Sequence, residues 1–92
     1  MREPINTVVL LGTGLIGSGW AARCLAHGLD VVAWDPDPSA EATLFANVDS
    51  AWPILKEVGL QSGADRSRLK FETSLEAALS VADYVQENAP DD

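Results

Sequence analysis

Three glycines and one carboxylate have the types and spacing to do chemistry. Gly12, Gly14 and Gly17 spell G-x-G-x-x-G, and Asp35 follows eighteen residues past the last of them. A glycine turn that opens a helix suits an anion, above all a diphosphate. Gly12 permits the tight turn, Gly14 has no Cβ to keep a phosphate from the backbone, and Gly17 lets the helix lie close on the preceding strand. The helix N-terminus adds free N–H groups and roughly half a positive charge. Leu15 and Ile16 stand between the glycines and belong to the same cradle. An acid closing a second strand, as Asp35 does, accepts hydrogen bonds from ribose hydroxyls. The plainer reading of the glycines is a structural turn, and of Asp35 a turn acid in "DPDP". Taken together, the four residues read as a dinucleotide site.

The rest of the chain narrows the ligand. A carboxylate at position 35 repels a 2′-phosphate, and no arginine or lysine lies between Gly28 and Lys56 to welcome one. NAD is therefore expected over NADP. The net charge of −8 argues against nucleic acid or an anionic membrane as partner. An acidic chain that holds an anion must do so with backbone amides. The same glycine fingerprint also serves FAD, and a non-catalytic nucleotide-binding or structural protein could carry it.

Other reactive side chains read as structural. His27 falls at a helix C-terminus, where histidine complements the dipole. Cys24 lies on a stripe of small residues and is expected in the core. Arg23 is expected in solvent, and Trp20 and Trp52 are expected to pack. One histidine and one cysteine cannot make a metal site. No catalytic residue is assigned within the 92 residues.

These groups need elements to hold them. Ile5 to Leu11 reads as a buried strand and Ile16 to His27 as a helix, with Gly17, Ala21, Cys24 and Gly28 on one close-packing stripe. Val31 to Trp34 is a second strand. Asp37 and Pro38 read as N-cap and first residue of a helical pattern that runs to Gly59, with Pro53 predicting a kink or break near Ser50 and so a helix pair. "LKFET" reads as an edge strand guarded by Lys70. Thr73 and Glu76 fit a capping box for a helix to about Val81, and Asp83 to Glu87 is a fourth strand. Alternating strands and helices predict an α/β fold of the Rossmann type, a doubly wound parallel sheet in order 3-2-1-4 with the helix pair between strands 2 and 3.

Length allows one small domain, and 47% hydrophobic with 22% charged residues is ordinary for a folded soluble chain. No spanning segment and no signal peptide is read, and with one cysteine the expected compartment is the cytoplasm.

"VVLLGTGLIGSGWAA", "VVAWDPDP" and "ADYVQENAP" together resemble the N-terminal NAD-binding domain of the 3-hydroxyacyl-CoA dehydrogenase family. The fatty-acid oxidation branch of that family more often has a small aliphatic residue where Trp20 stands. The resemblance implies an oxidoreductase that passes a hydride from a secondary alcohol at C3 of a small-molecule substrate to NAD. It implies that Gly12, Gly14 and Gly17 carry the diphosphate and Asp35 the ribose, while the segment from Asn88 through Ala89 and Pro90 approaches the nicotinamide. It also implies a catalytic histidine oriented by a glutamate, a further helical domain and a homodimer. Nothing in residues 1–92 matches that histidine and glutamate, so the expectation is the N-terminal part of a longer enzyme's Rossmann domain.

Overall fold

In chain order the elements are β1 (Thr7–Leu11), α1 (Leu15–Ala26), β2 (Asp30–Trp34), α2 (Ala40–Val58), β3 (Leu69–Phe71), α3 (Leu75–Ser80) and β4 (Tyr84–Glu87), with a 3₁₀ turn at Arg66–Arg68. The computed structural model describes residues 5–87. All strand pairs are parallel, and the sheet order is β3-β2-β1-β4. This is the doubly wound order that the alternation of elements predicts.

From Val8 to Leu11 β1 is apolar without interruption because both its faces are covered. Successive strand side chains point to opposite faces. Val8 and Leu10 join Val31, Ala33 and Leu69 in one cluster with Ala21, Ala22 and Leu25 of α1 and Leu44, Val48 and Trp52 of α2. Val9, one register over, is also fully buried. Ala77 and Val81 border Thr7, Val32 and Lys70, the residues of that alternate register, so α3 lies on the other side of the sheet. The layers are thus α1 with α2, the sheet, and α3.

The expected helix pair is absent: α2 is one continuous helix of 19 residues with Pro53 inside it. Proline removes one backbone hydrogen bond, here to the Asp49 carbonyl, at about 3 kcal/mol in a helix interior. Leu44, Val48 and Trp52 form a buried stripe that crosses this point, and half-buried Leu55 continues it. Pro53 and Asp49 are both exposed, so the missing bond falls on the solvent side of α2 and not in the core. Burial on both sides of the proline outweighs the lost bond.

The helix starts also shift. Asp37 accepts from the Ser39 N–H (2.9 Å) and hydroxyl (2.7 Å), a turn that feeds α2, but the regular helix begins at Ala40. For α3 the cap is Ser74, not Thr73: its Oγ accepts from the Ala77 N–H at 3.2 Å. The acid that receives the Ser74 amide is Glu72 at 3.1 Å, from upstream, rather than Glu76. Ile5 is 44% exposed and precedes β1. Asp83 precedes β4, and its carboxylate accepts from the N–H groups of Asn6 and Thr7, both at 2.9 Å. Those bonds tie the start of β4 to the start of β1.

Candidate nucleotide-binding cleft

The carboxyl end of β1 is where the strand order reverses, with β2 on one side and β4 on the other. Crevices at such switch points are where open α/β sheets bind ligands. A cleft of about 840 Å³ opens here, lined by Leu11 to Gly17, by Trp34, Asp35 and Pro36, and by Leu75 and Glu87. Small-molecule clefts range over about 300–1,000 Å³.

Gly12 has φ 96°, a conformation that favours glycine, and its N–H donates to the Trp34 carbonyl at 2.8 Å. That bond turns the chain off β1 while keeping it against β2. Gly14 is the N-cap of α1, and no side chain caps it. The first helical bond runs from the Ser18 N–H to the Gly14 carbonyl. The amides of Leu15, Ile16 and Gly17 therefore precede the helical ladder. No acidic residue stands in the first turn to neutralise them. A Cβ built on Gly14 meets nothing within 4 Å, so the space beside this backbone is open. Gly17 is buried on the sheet side of α1 with Ala21 and Leu25.

Asp35 sits across the cleft from the helix start. Its Oδ2 accepts from the Thr13 N–H at 2.9 Å and the Thr13 hydroxyl at 3.1 Å, and its Oδ1 accepts from the Asp37 N–H at 3.0 Å. The lining contains two carboxylates, Asp35 and Glu87, and neither lysine nor arginine. Attraction for an anion thus comes from the amides and dipole of α1.

Gly12, Gly14, Leu15, Ile16, Gly17 and Asp35 all border this one cleft. Ala89 and Pro90, with Asn88 before them, lie outside the described residues. Sequence reasoning missed Thr13, Leu75 and Glu87. Leu75 and Glu87 are first and last residues of their elements, which only the topology brings here. Trp20 was expected to pack, yet it is 42% exposed, one turn past Ile16 at 72%. The sheet face of α1 is filled by Gly17, Ala21 and Leu25, and an indole does not fit among such small residues.

The remaining reactive groups stand elsewhere. His27 follows the last residue of α1, about 18 Å of helix from the glycine turn, with its Nδ1 2.9 Å from Gln61 Nε2. Burial pushes the Cys24 thiol up, which disfavours the thiolate a nucleophile needs. Arg23 is exposed. Among the described residues no three His, Cys, Asp or Glu side chains group to hold a metal ion, and no helix is long and apolar enough to cross a membrane.

Comparison with known proteins agrees with this geometry. The profile of the family "3-hydroxyacyl-CoA dehydrogenase, NAD binding domain" matches residues 7–92. L-carnitine dehydrogenase of Pseudomonas aeruginosa is 58% identical over 87 residues, 95% of this chain and 27% of the relative. The L-carnitine dehydrogenase of Streptomyces griseus is 47% identical over 89 residues, 97% of this chain and 27% of the relative. The chain thus spans about a quarter of the length of these relatives. Among solved structures, an NAD+-dependent 5-formyl-3-hydroxy-2-methylpyridine 4-carboxylic acid 5-dehydrogenase superposes with TM-score 0.83 at 32% identity, over 97% of this chain and 29% of that one. (S)-3-hydroxybutyryl-CoA dehydrogenase of Ralstonia eutropha superposes with TM-score 0.79 at 34% identity, over 97% of this chain and 32% of that one. The Rossmann-type sheet, the glycine turn and the profile match converge: the chain belongs to the NAD-binding domain family of the 3-hydroxyacyl-CoA dehydrogenases, and its cofactor is NAD.

Proposed function

We propose that this chain is the N-terminal, cofactor-holding part of an L-carnitine dehydrogenase, which oxidises the C3 hydroxyl of L-carnitine to 3-dehydrocarnitine with NAD. One observation carries the cofactor half of this reading. An uncapped helix start and the Asp35 carboxylate face one cleft, where Gly14 leaves open space. The residues fit the dinucleotide. The amides of Leu15, Ile16 and Gly17 donate to the diphosphate, which passes Gly14 where a side chain would stand. Gly12 sets the turn. Asp35 accepts from an adenosine ribose hydroxyl with the lone pair on Oδ1 that Thr13 and Asp37 leave free. Pro36 and Leu75 line the same cleft beside Asp35. Ala89 and Pro90 are assigned to the nicotinamide side by family analogy.

When bound, NAD supplies the hydride acceptor at its nicotinamide ring. The alcohol proton needs a placed base. His27 stands at the far end of α1 from the cleft, so we assign the base to sequence outside residues 1–92. The substrate half rests on the 58% identity to L-carnitine dehydrogenase of Pseudomonas aeruginosa. By family analogy, we also place the full-length protein in the cytoplasm as a homodimer. Full-length protein with NAD and L-carnitine should form NADH and 3-dehydrocarnitine. Turnover of 3-hydroxybutyryl-CoA or L-gulonate in place of carnitine would move the protein to another branch of the family and leave the cofactor site untouched.

A further inference from the structure

The x position between the first two glycines is free in the fingerprint, yet here it is the hub of a buried polar relay. Thr13 is 2% exposed. Its N–H and its hydroxyl both donate to one oxygen, Asp35 Oδ2, at 2.9 and 3.1 Å. Its carbonyl accepts from the Ser18 hydroxyl at 3.3 Å, and Ser18 is itself 4% exposed. The Ser18 Oγ in turn accepts from Asn47 Nδ2 of α2 at 3.1 Å. The glycine turn is thereby fastened to both helices on one side and to the tip of β2 on the other. An aspartate side chain has two rotatable bonds, and this half-buried one just past β2 is held by three donors. Fixing it before the ligand arrives removes ordering cost from binding.

We propose that Thr13 is a positioning residue for cofactor recognition: its hydroxyl orients the Asp35 carboxylate toward the ribose and so sets the preference for NAD over NADP. The inference rests on the cleft being the NAD site. Without the hydroxyl, the carboxylate keeps the Thr13 amide on Oδ2 and the Asp37 amide on Oδ1 but loses the one side-chain donor that fixes its tilt between them. It then accepts less well from the ribose hydroxyl and repels a 2′-phosphate less. A hydrogen bond to a charged group is strong enough that its loss shows as about a tenfold change in affinity.

The test is calorimetric binding of NAD and NADP to the full-length protein and its variants, with thermal unfolding measured alongside. Thr13→Val should weaken NAD about tenfold and NADP by less than about threefold, and Thr13→Ser should restore NAD to within about twofold. In an Asp35→Ala background, Thr13→Val should change NAD affinity by less than about twofold, because the group it positions is gone. Equal weakening of both cofactors by Thr13→Val would overturn the inference and leave Thr13 a support of the turn alone. So would loss of folding in Thr13→Val and in the smaller Thr13→Ala. If Asp35→Ala weakens NAD but Thr13→Val does not, Thr13 loses its role while the cofactor site stands. If Asp35→Ala leaves NAD unchanged, the cofactor-site reading falls and this inference with it.

Discussion

Replacing Gly14 separates ligand geometry from folding. Gly14 has φ −64° and ψ −163°, an ordinary extended conformation for any L-residue. A Cβ there meets nothing within 4 Å. The Cβ of Gly14→Val therefore meets no neighbour in the ligand-free protein, and the φ of this position lies outside the left-handed region that favours glycine. Valine caps a helix less well than glycine, but it also lowers the entropy of the unfolded chain by about 0.4–1 kcal/mol. These terms oppose, so stability should change by under about 1 kcal/mol, a shift of less than about 8 °C in Tm for a domain this small. Binding should respond very differently. The branched side chain occupies the side from which the diphosphate reaches the amides of Leu15, Ile16 and Gly17. Losing two charge-assisted bonds at about 1.5 kcal/mol or more each amounts to at least about 3 kcal/mol, or a hundredfold. Calorimetric titration with NAD, beside thermal unfolding without it, reads both quantities. Unchanged melting with NAD affinity within about threefold of the unsubstituted protein would refute the diphosphate assignment. A Tm loss well beyond 8 °C would instead show that the turn needs glycine for its own sake.

Gly28 should behave in the opposite way. Its φ is +79° and an added Cβ lies 2.6 Å from the Ser62 carbonyl oxygen, so Gly28→Ala should cost about 2–4 kcal/mol in thermal unfolding while NAD affinity of the folded fraction holds. Full-length protein should prefer NAD to NADP by at least about tenfold in kcat/KM, and equal efficiencies would remove Asp35 from the ribose site. The amides of Asn6 and Thr7 hold the Asp83 carboxyl below the usual carboxylate range. A lowered folded pKa stabilises above the unfolded value and is lost as pH falls through the folded one, so the Tm gap between wild type and Asp83→Ala should stay constant above about pH 5 and narrow below about pH 4. A gap that widens in acid would contradict the sign.

What was legible in the sequence is what a short stretch of backbone demands. The turn between β1 and α1 needs glycine where φ is 96°, an open helix start needs no side chain, and a strand covered on both faces needs unbroken apolar residues. Each requirement is met by neighbours in the chain, so each leaves a local pattern, and the sheet order follows from alternation and handedness. What was not legible depends on pairs far apart. Nothing near Pro53 says that the helix survives it, because the cost is offset by Trp52 reaching a core built from β1, β2 and α1. Arg68 looks like one more loop residue. In the fold its guanidinium donates to Asp30 Oδ1 at 2.8 Å and to the carbonyls of Gly28 and Gly63, which fastens the segment after α2 to the turn before β2.

Thr13 is the sharpest case, because it lies inside the motif and the motif does not specify it. Its partner Asp35 is 22 positions away, and the Asn47 to Ser18 bond that steadies it spans 29. A fingerprint records the positions where the cofactor comes close to the backbone, since only glycine tolerates that approach. It is silent on the side chains that aim the functional group, because many polar arrangements can do so and each family member can settle on its own. Affinity should therefore vary among relatives that share the same three glycines, according to how firmly the residue at position 13 grips the acid at position 35. The Thr13→Val and Asp35→Ala cycle measures that grip directly, while Gly14→Val measures only whether the diphosphate passes.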